Sequence, residues 1–255
     1  MDFLCVCVRI PKAGSTSLHY TVQAAFGARR NFYVPHTLNL DAGISAFQEW
    51  RFLRSRSRRL VSKYRTLSMQ KAFRLIAENA RDGDLLLGGH IDFPSVRTQL
   101  PRKVKMITMF RAPAERCRSE YQWCRETYLR GGPLRRVDSS FRHKAAGKYS
   151  FEGYLDFLLD FRDSYADIAA RYVGWDGTQD IGRYFSANVF HSGLLEDGMS
   201  FQRRLSDKMG VPIELLHHNA ADNTRQEGIT CRQRRKIEQI YPRDFSLYEW
   251  HLAGN

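Results

Sequence analysis

The sequence predicts an α/β fold in a single domain covering residues 1–255, with a central, mainly parallel β-sheet flanked by helices. Two observations carry this expectation. Short apolar, β-branched runs alternate with stretches of helical character, the order that builds parallel strands joined by crossover helices. A chain of 255 residues, 43% of them hydrophobic, is also long enough to bury one sizeable core.

Residues 3–10 read as the first strand, PKAGSTS as a tight turn, and SLHYTVQAAFGA as a helix whose Gly27 suits the position just past its end. Residues 84–87 (DLLL) read as a second strand running into Gly88 and Gly89. Residues 103–110 (KVKMITMF) read as a third, with Pro113 at the first position of the helix after it. Residues 5–9 and 105–110 are expected as neighbouring interior strands, with ligands beyond their carboxyl ends. A basic helical insertion at about 45–80 holds WRFLRSRSRRLVSKYR and the amphipathic SMQKAFRLIAENA. Residues 131–147, rich in Gly, Ser and basic residues without a period, read as a mobile loop. FEGYLDFLLDFRDSYADIAARY reads as one long helix, GMSFQRRLSDKMG as another, and CRQRRKIEQIYPRDFSLYEW as a terminal helical pair interrupted at Pro242.

Forty Lys plus Arg against 27 Asp plus Glu give a net charge of +13. Such a surface attracts anions: nucleic acid, phosphonucleotides, acidic glycans or anionic membrane. No apolar run approaches the roughly 18 residues that span a bilayer, and MDFLCVCVRI lacks the basic start of a secretory leader. A cytoplasmic protein of bacterial type is expected. The five cysteines, Cys5, Cys7, Cys117, Cys124 and Cys231, fit no zinc-type spacing and read as reduced packing residues.

A turn that leaves a strand and opens a helix aims backbone N–H groups and the positive end of the helix dipole at one spot. In PKAGSTS, Gly14 permits close approach, Ser15, Thr16 and Ser17 add hydroxyl donors, and Lys12 adds a point charge. The core is thus P-loop-like, yet it is not a Walker A loop, whose Lys comes after the last glycine; here Lys12 precedes the only one. After the third strand, FRAPAERCRS places Arg111 before a helix and Ser119 two turns into it, where both could reach a further phosphate.

Together these segments resemble the sulfotransferases that use 3′-phosphoadenosine 5′-phosphosulfate (PAPS). RIPKAGSTS is similar to that family's 5′-phosphosulfate loop, and FRAPAERCRSEY to its 3′-phosphate element. The resemblance implies donor contacts from Arg9, Pro11, Lys12, Ala13, Gly14, Ser15, Thr16 and Ser17 in the first segment, and from Arg111 and Ser119 in the second. The chain departs from the family pattern at Ala13, where Thr is common, and at Ala112, where Asp is common. GGHIDF resembles a segment of the polysaccharide branch, notably uronyl 2-O-sulfotransferases, in which a His is the catalytic base; His90 falls on that position. The likeness anchors residues 5–20 and 84–125, with looser similarity from about 187 to 250.

The resemblance therefore implies in-line transfer of a sulfuryl group from PAPS to a hydroxyl, on an acidic or neutral saccharide, without a metal. Lys12 would stabilise the leaving phosphate, and His90 would accept the hydroxyl proton with a pKa near working pH. Glu115, Glu120 and Asp92 are the rival bases, while Tyr121 and Trp123 read as core. Two other classes remain open from the residues alone. A basic nucleic-acid-binding protein would suit the charge, although no helix-turn-helix, zinc or RNA-binding signature accompanies it. A nucleotide-dependent phosphoryl transferase would need a Walker lysine and a magnesium-binding Asp in place.

Overall fold

The computed structural model describes residues 1–27, 31–34, 69–132, 139–213 and 228–254. Five strands, β1 (Leu4–Val8), β2 (Asn31–Val34), β3 (Leu85–Gly88), β4 (Val104–Phe110) and β5 (Val189–Leu194), form one sheet in the order β2-β3-β1-β4-β5. Every pairing between them is parallel. The α/β expectation is met, and β1 and β4 are the neighbouring interior strands the sequence calls for.

All five residues of β1 are buried, because both faces of the sheet are covered. Cys5, Cys7, Leu85, Leu87, Ile107 and Met109 face α1 (Ser15–Phe26) and α10 (Gly198–Met209), packing on Leu18, Val22, Phe26, Phe201 and Leu205. Leu4, Val6, Val8, Leu86, Met106 and Phe110 belong to the larger cluster on the other face. There the cover is α2 (Met69–Asn79), α3 (Phe93–Gln99), α4 (Pro113–Arg130), α5 (Phe141–Lys148), α6 (Phe151–Asp160), α7 (Arg162–Tyr165), α8 (Ile168–Val173), α9 (Ile181–Asn188), α11 (Cys231–Ile240) and α12 (Pro242–Leu252). Full burial of each such aliphatic side chain contributes roughly 1.5–3 kcal/mol. Among the described residues no helix is long and apolar enough to cross a membrane.

Several expectations are corrected. The run 151–172 is not one helix but three, broken at Phe161 and again before α8, where Asp167 adopts a left-handed φ of 48° and residues at the start of α12 cap α8. Asp167 accepts from Arg243 N at 2.9 Å and Nε at 2.8 Å, while Asp244 accepts from Ala169 N and Ala170 N at the start of α8. Such tertiary capping overrides local helical preference. Of residues 131–147, expected as a mobile loop, 141–147 belong to helix α5, opened by Ser140 as N-cap, and 133–138 lie outside the described residues. Strands β2 and β5 go unread in the sequence, β5 because His191, Ser192 and Gly193 interrupt its apolar pattern. Four cysteines are buried as expected, but Cys231 is exposed. The basic run 50–65 lies outside the described residues.

Helix α4 is held by a buried ionic group. Arg116, 1% exposed, pairs with Glu120 at 3.0 Å and with Asp244 of α12 at 3.8 Å, and lies over the Tyr241 ring. Arg142 of α5 pairs with the same Glu120. Burial pushes the Asp244 carboxyl up to about 6, partly offset by Arg116 and by the N–H groups of α8. Burial also pulls Glu120 upward, yet Arg142 and Arg116 outweigh it and hold that carboxyl below its usual range. Removing one member strands the others without compensation. Arg116→Ala should therefore lower the unfolding free energy by about 3–5 kcal/mol, read as a fall in urea midpoint. A loss under about 1 kcal/mol would mean the group does not brace α4.

Candidate active site

β1 pairs with β4 so that Val8 stands beside Thr108, and Thr108 Oγ1 donates to the Val8 carbonyl at 3.0 Å. Paired strands lie about 5 Å apart, so the turn after β1 and Arg111 after β4 emerge together. Arg111 Nη1 donates to the Lys12 carbonyl at 3.3 Å. The two segments predicted to bind phosphates are thus in direct contact.

The turn itself is strained. Lys12 holds φ 64° and Gly14 φ 68°. The left-handed region costs a non-glycine residue roughly 1–2 kcal/mol, and such strain collects at functional sites. Gly14 suits that φ, and a Cβ there would lie 2.6 Å from Leu195 Cδ1, so that this side chain would have to shift. At the N-cap of α1 Gly14 offers no side chain, and the first turn holds no acidic residue. The first-turn N–H groups and the positive dipole of this twelve-residue helix therefore face the turn, with no acidic side chain of that turn beside them. Pro11, Ser15 and Thr16 are half-buried and Ser17 is buried around it.

Two of the predicted contact residues also take part in the scaffold. Ala13 N donates to the Ile10 carbonyl at 3.3 Å, and its methyl lies in the core. Arg9 is 8% exposed and ties the loop to β3, with Nε donating to the Ser15 carbonyl at 3.0 Å and Nη1 to the Gly88 carbonyl at 3.2 Å. Ser119 stands half-buried on α4.

His90, two residues past the end of β3, is fixed by the same scaffold. Its Nδ1–H donates to the Arg9 carbonyl at 2.7 Å, which leaves Nε2 as the nitrogen that can take a proton. Burial first, with the charges of Arg9, Lys12 and Arg142, pushes the imidazole down to about 4, although the Arg9 hydrogen bond works the other way. The sequence-based expectation of a pKa near working pH is corrected: burial first, and then the nearby cations, disfavour the charged ring. Burial also lowers the Lys12 ammonium below the usual lysine range; Arg111 adds to this, and Glu120 opposes it. Of the rival bases, Asp92 caps α3, accepting from Ser95 N at 2.8 Å and Ser95 Oγ at 3.0 Å. Glu120 is committed to Arg116 and Arg142.

Sequence reasoning missed two features. The turn after β5 touches both phosphate segments: Leu195 packs on Gly14, and Glu196 Oε1 accepts from Ala112 N at 2.9 Å. Ala112, standing where the resemblance expects Asp, makes no side-chain cap of its own, and Glu196 binds the backbone there from 84 residues away. The acidic pair Glu196–Asp197 directly after a strand was the available signal. The second is Trp123, read as core but 49% exposed, with Lys12 Nζ 5.5 Å from its ring centroid. Tyr121, by contrast, packs with Phe151 and Tyr154 as expected.

No family model and no curated protein matches the chain. Solved structures similar to it are sulfotransferases. One, from Alicyclobacillus acidocaldarius, is 14% identical, with 96% of this chain and 93% of that chain covered at a TM-score of 0.47. Mouse sulfotransferase SULT7A1, complexed with PAP, is 10% identical over 93% and 62%, with a TM-score of 0.35. The sulfotransferase domain from the curacin biosynthetic pathway is 13% identical over 83% and 75%, with a TM-score of 0.36. At these identities and scores the chemistry of this chain rests on its own residues.

If Glu196 fixes the start of α4, Glu196→Ala should speed hydrogen exchange of the Ala112 amide at least about tenfold, the effect of losing one charge-assisted hydrogen bond. Glu196→Gln, which keeps an accepting oxygen, should restore most of the protection. Unchanged exchange in Glu196→Ala would remove the residue from this role.

Proposed function

We propose that this chain transfers a sulfuryl group from PAPS to a hydroxyl of a saccharide. The observation that carries the reading is the contact between Arg111 and the Lys12 carbonyl, which puts a strained, uncapped helix turn and a second cationic helix start at one place. A nucleotide with phosphates at its two ends needs both. The likeness of residues 9–17 and 110–121 to the two phosphate elements of PAPS-dependent sulfotransferases supports the same ligand. The likeness of residues 88–93 to the uronyl 2-O-sulfotransferase segment supports His90 as base.

The donor, when bound, supplies the sulfuryl group and a phosphate leaving group. The chain's own part is mostly positioning and charge. The N–H groups of the α1 turn and the Lys12 ammonium face the oxygens on which negative charge grows, in a half-buried place where such donors act more strongly than in water. Arg111 offers its guanidinium to the 3′-phosphate, with Ser119 on the same helix adding a hydroxyl. His90 Nε2 accepts the acceptor's proton, and the Arg9 carbonyl keeps the tautomer that makes this possible.

His90 is neutral throughout the physiological range, since its ring is pushed down to about 4. Protonation removes the base, so activity should fall on the acid side near that value and stay level from about pH 5.5 to 8. The negative charge of a bound donor opposes the three cations and should move this acid limb upward. His90→Ala should cut transfer by roughly a hundredfold to ten-thousandfold and leave affinity for 3′-phosphoadenosine 5′-phosphate (PAP), the desulfated product, nearly unchanged. A His90→Ala enzyme that keeps full activity, with the acid limb still present, would take His90 out of the mechanism.

A further inference from the structure

We propose that the indole of Trp123 is the floor of the acceptor subsite and that the acceptor lays a pyranose ring flat against it, an inference that rests on the sulfuryl-transfer reading above. Trp123 comes four residues after Ser119 on α4, and residues at that spacing share one face of a helix. The face that carries the 3′-phosphate element thus continues into the indole. Leaving 49% of a Trp open to water forfeits apolar burial that the neighbouring Cys124 and Tyr121 obtain.

The ring is nevertheless held in place. Lys12 Nζ stands 5.5 Å from its centroid, within the range at which a cation is drawn to an aromatic face. His143 of α5 meets it at 5.0 Å with the planes inclined at 63°, and Ser140 Oγ lies 2.6 Å from His143 Nδ1. A side chain braced on two sides and half open on the remainder, beside the lysine assigned to the leaving group, has the form of a stacking surface.

A pyranose suits that surface. Its C–H face is apolar and slightly positive and meets the negative face of an indole, while the hydroxyls at its rim stay available for chemistry. One such hydroxyl oxygen forms the new bond to sulfur as the bond from sulfur to the 5′-phosphate oxygen breaks. Its proton passes to His90 Nε2, and the departing nucleotide keeps the electron pair. An acyclic alcohol gains little from a flat aromatic floor and should be a poor acceptor.

Saturation-transfer NMR on the full chain, with cellobiose as the saccharide probe and PAP present, tests this apart from turnover. The wild type should transfer saturation to the sugar ring C–H protons, with the signal at least about fivefold weaker in Trp123→Ala and largely retained in Trp123→Phe. PAP affinity by calorimetry should be the same in all three proteins within about twofold. An equal cellobiose signal in Trp123→Ala would overturn the platform. Transfer to 2-naphthol but not to cellobiose would overturn the pyranose. A wild type that fails to bind PAP, yet gives a Trp123-dependent cellobiose signal, would overturn the sulfotransferase reading and uphold the sugar platform.

Discussion

The pairing of β1 with β4 is the constraint on which the rest of the site depends. Their register sets the turn after Val8 and the residue after Phe110 at the same carboxyl end of the strands, and the Arg111 contact to the Lys12 carbonyl locks one to the other. β3 lies on the opposite side of β1 and delivers His90 to the same end. Three adjacent parallel strands, β3, β1 and β4, thus bring His90, the α1 turn and Arg111 together, although Lys12 and Arg111 stand 99 residues apart in sequence. The sheet order alone does this, before any ligand is considered.

What the sheet positions, buried polar contacts hold. Arg9 is the clearest case: its side chain joins the α1 turn to β3, and its carbonyl fixes the His90 tautomer. Glu196 and Leu195 do the equivalent from the other side, touching the start of α4 and the Gly14 turn. Deeper in, Arg116, Glu120, Arg142 and Asp244 join α4 to α5 and α12. A buried ion group of this kind is weak evidence for net stability but strong evidence for a fixed geometry, because breaking it leaves a charge without compensation. Helix α4, which carries Ser119 and Trp123, is the element that it fixes.

Sequence pattern revealed the strand–turn–helix units around Lys12 and Arg111 because each has local punctuation: an apolar run, then Gly or Pro, then helical periodicity. The break at Asp167 was hidden for the opposite reason. A helix that stops because Arg243 and Asp244 arrive from 76 and 74 residues away leaves no mark in its own sequence. The same holds for Glu196, whose value lies in reaching Ala112, and for Trp123, whose composition suggests core but whose position is at an opening. The downward shift of His90 leaves no mark in the sequence because its burial, and then the charges of Arg9, Lys12 and Arg142, arise only in three dimensions.

The central claim is that the two phosphate segments serve one nucleotide carrying a phosphate at each end. Calorimetric titration with PAP and with adenosine 5′-phosphate, on the wild type and on Arg111→Ala, tests it most directly. The wild type should bind PAP at least about tenfold more tightly than the nucleotide lacking the 3′-phosphate, since charged hydrogen bonds to a phosphate are worth roughly 1.5–3 kcal/mol. Arg111→Ala should erase most of that difference while leaving adenosine 5′-phosphate binding nearly as it was. Equal weakening of both ligands, or a wild type indifferent to the 3′-phosphate, would contradict it.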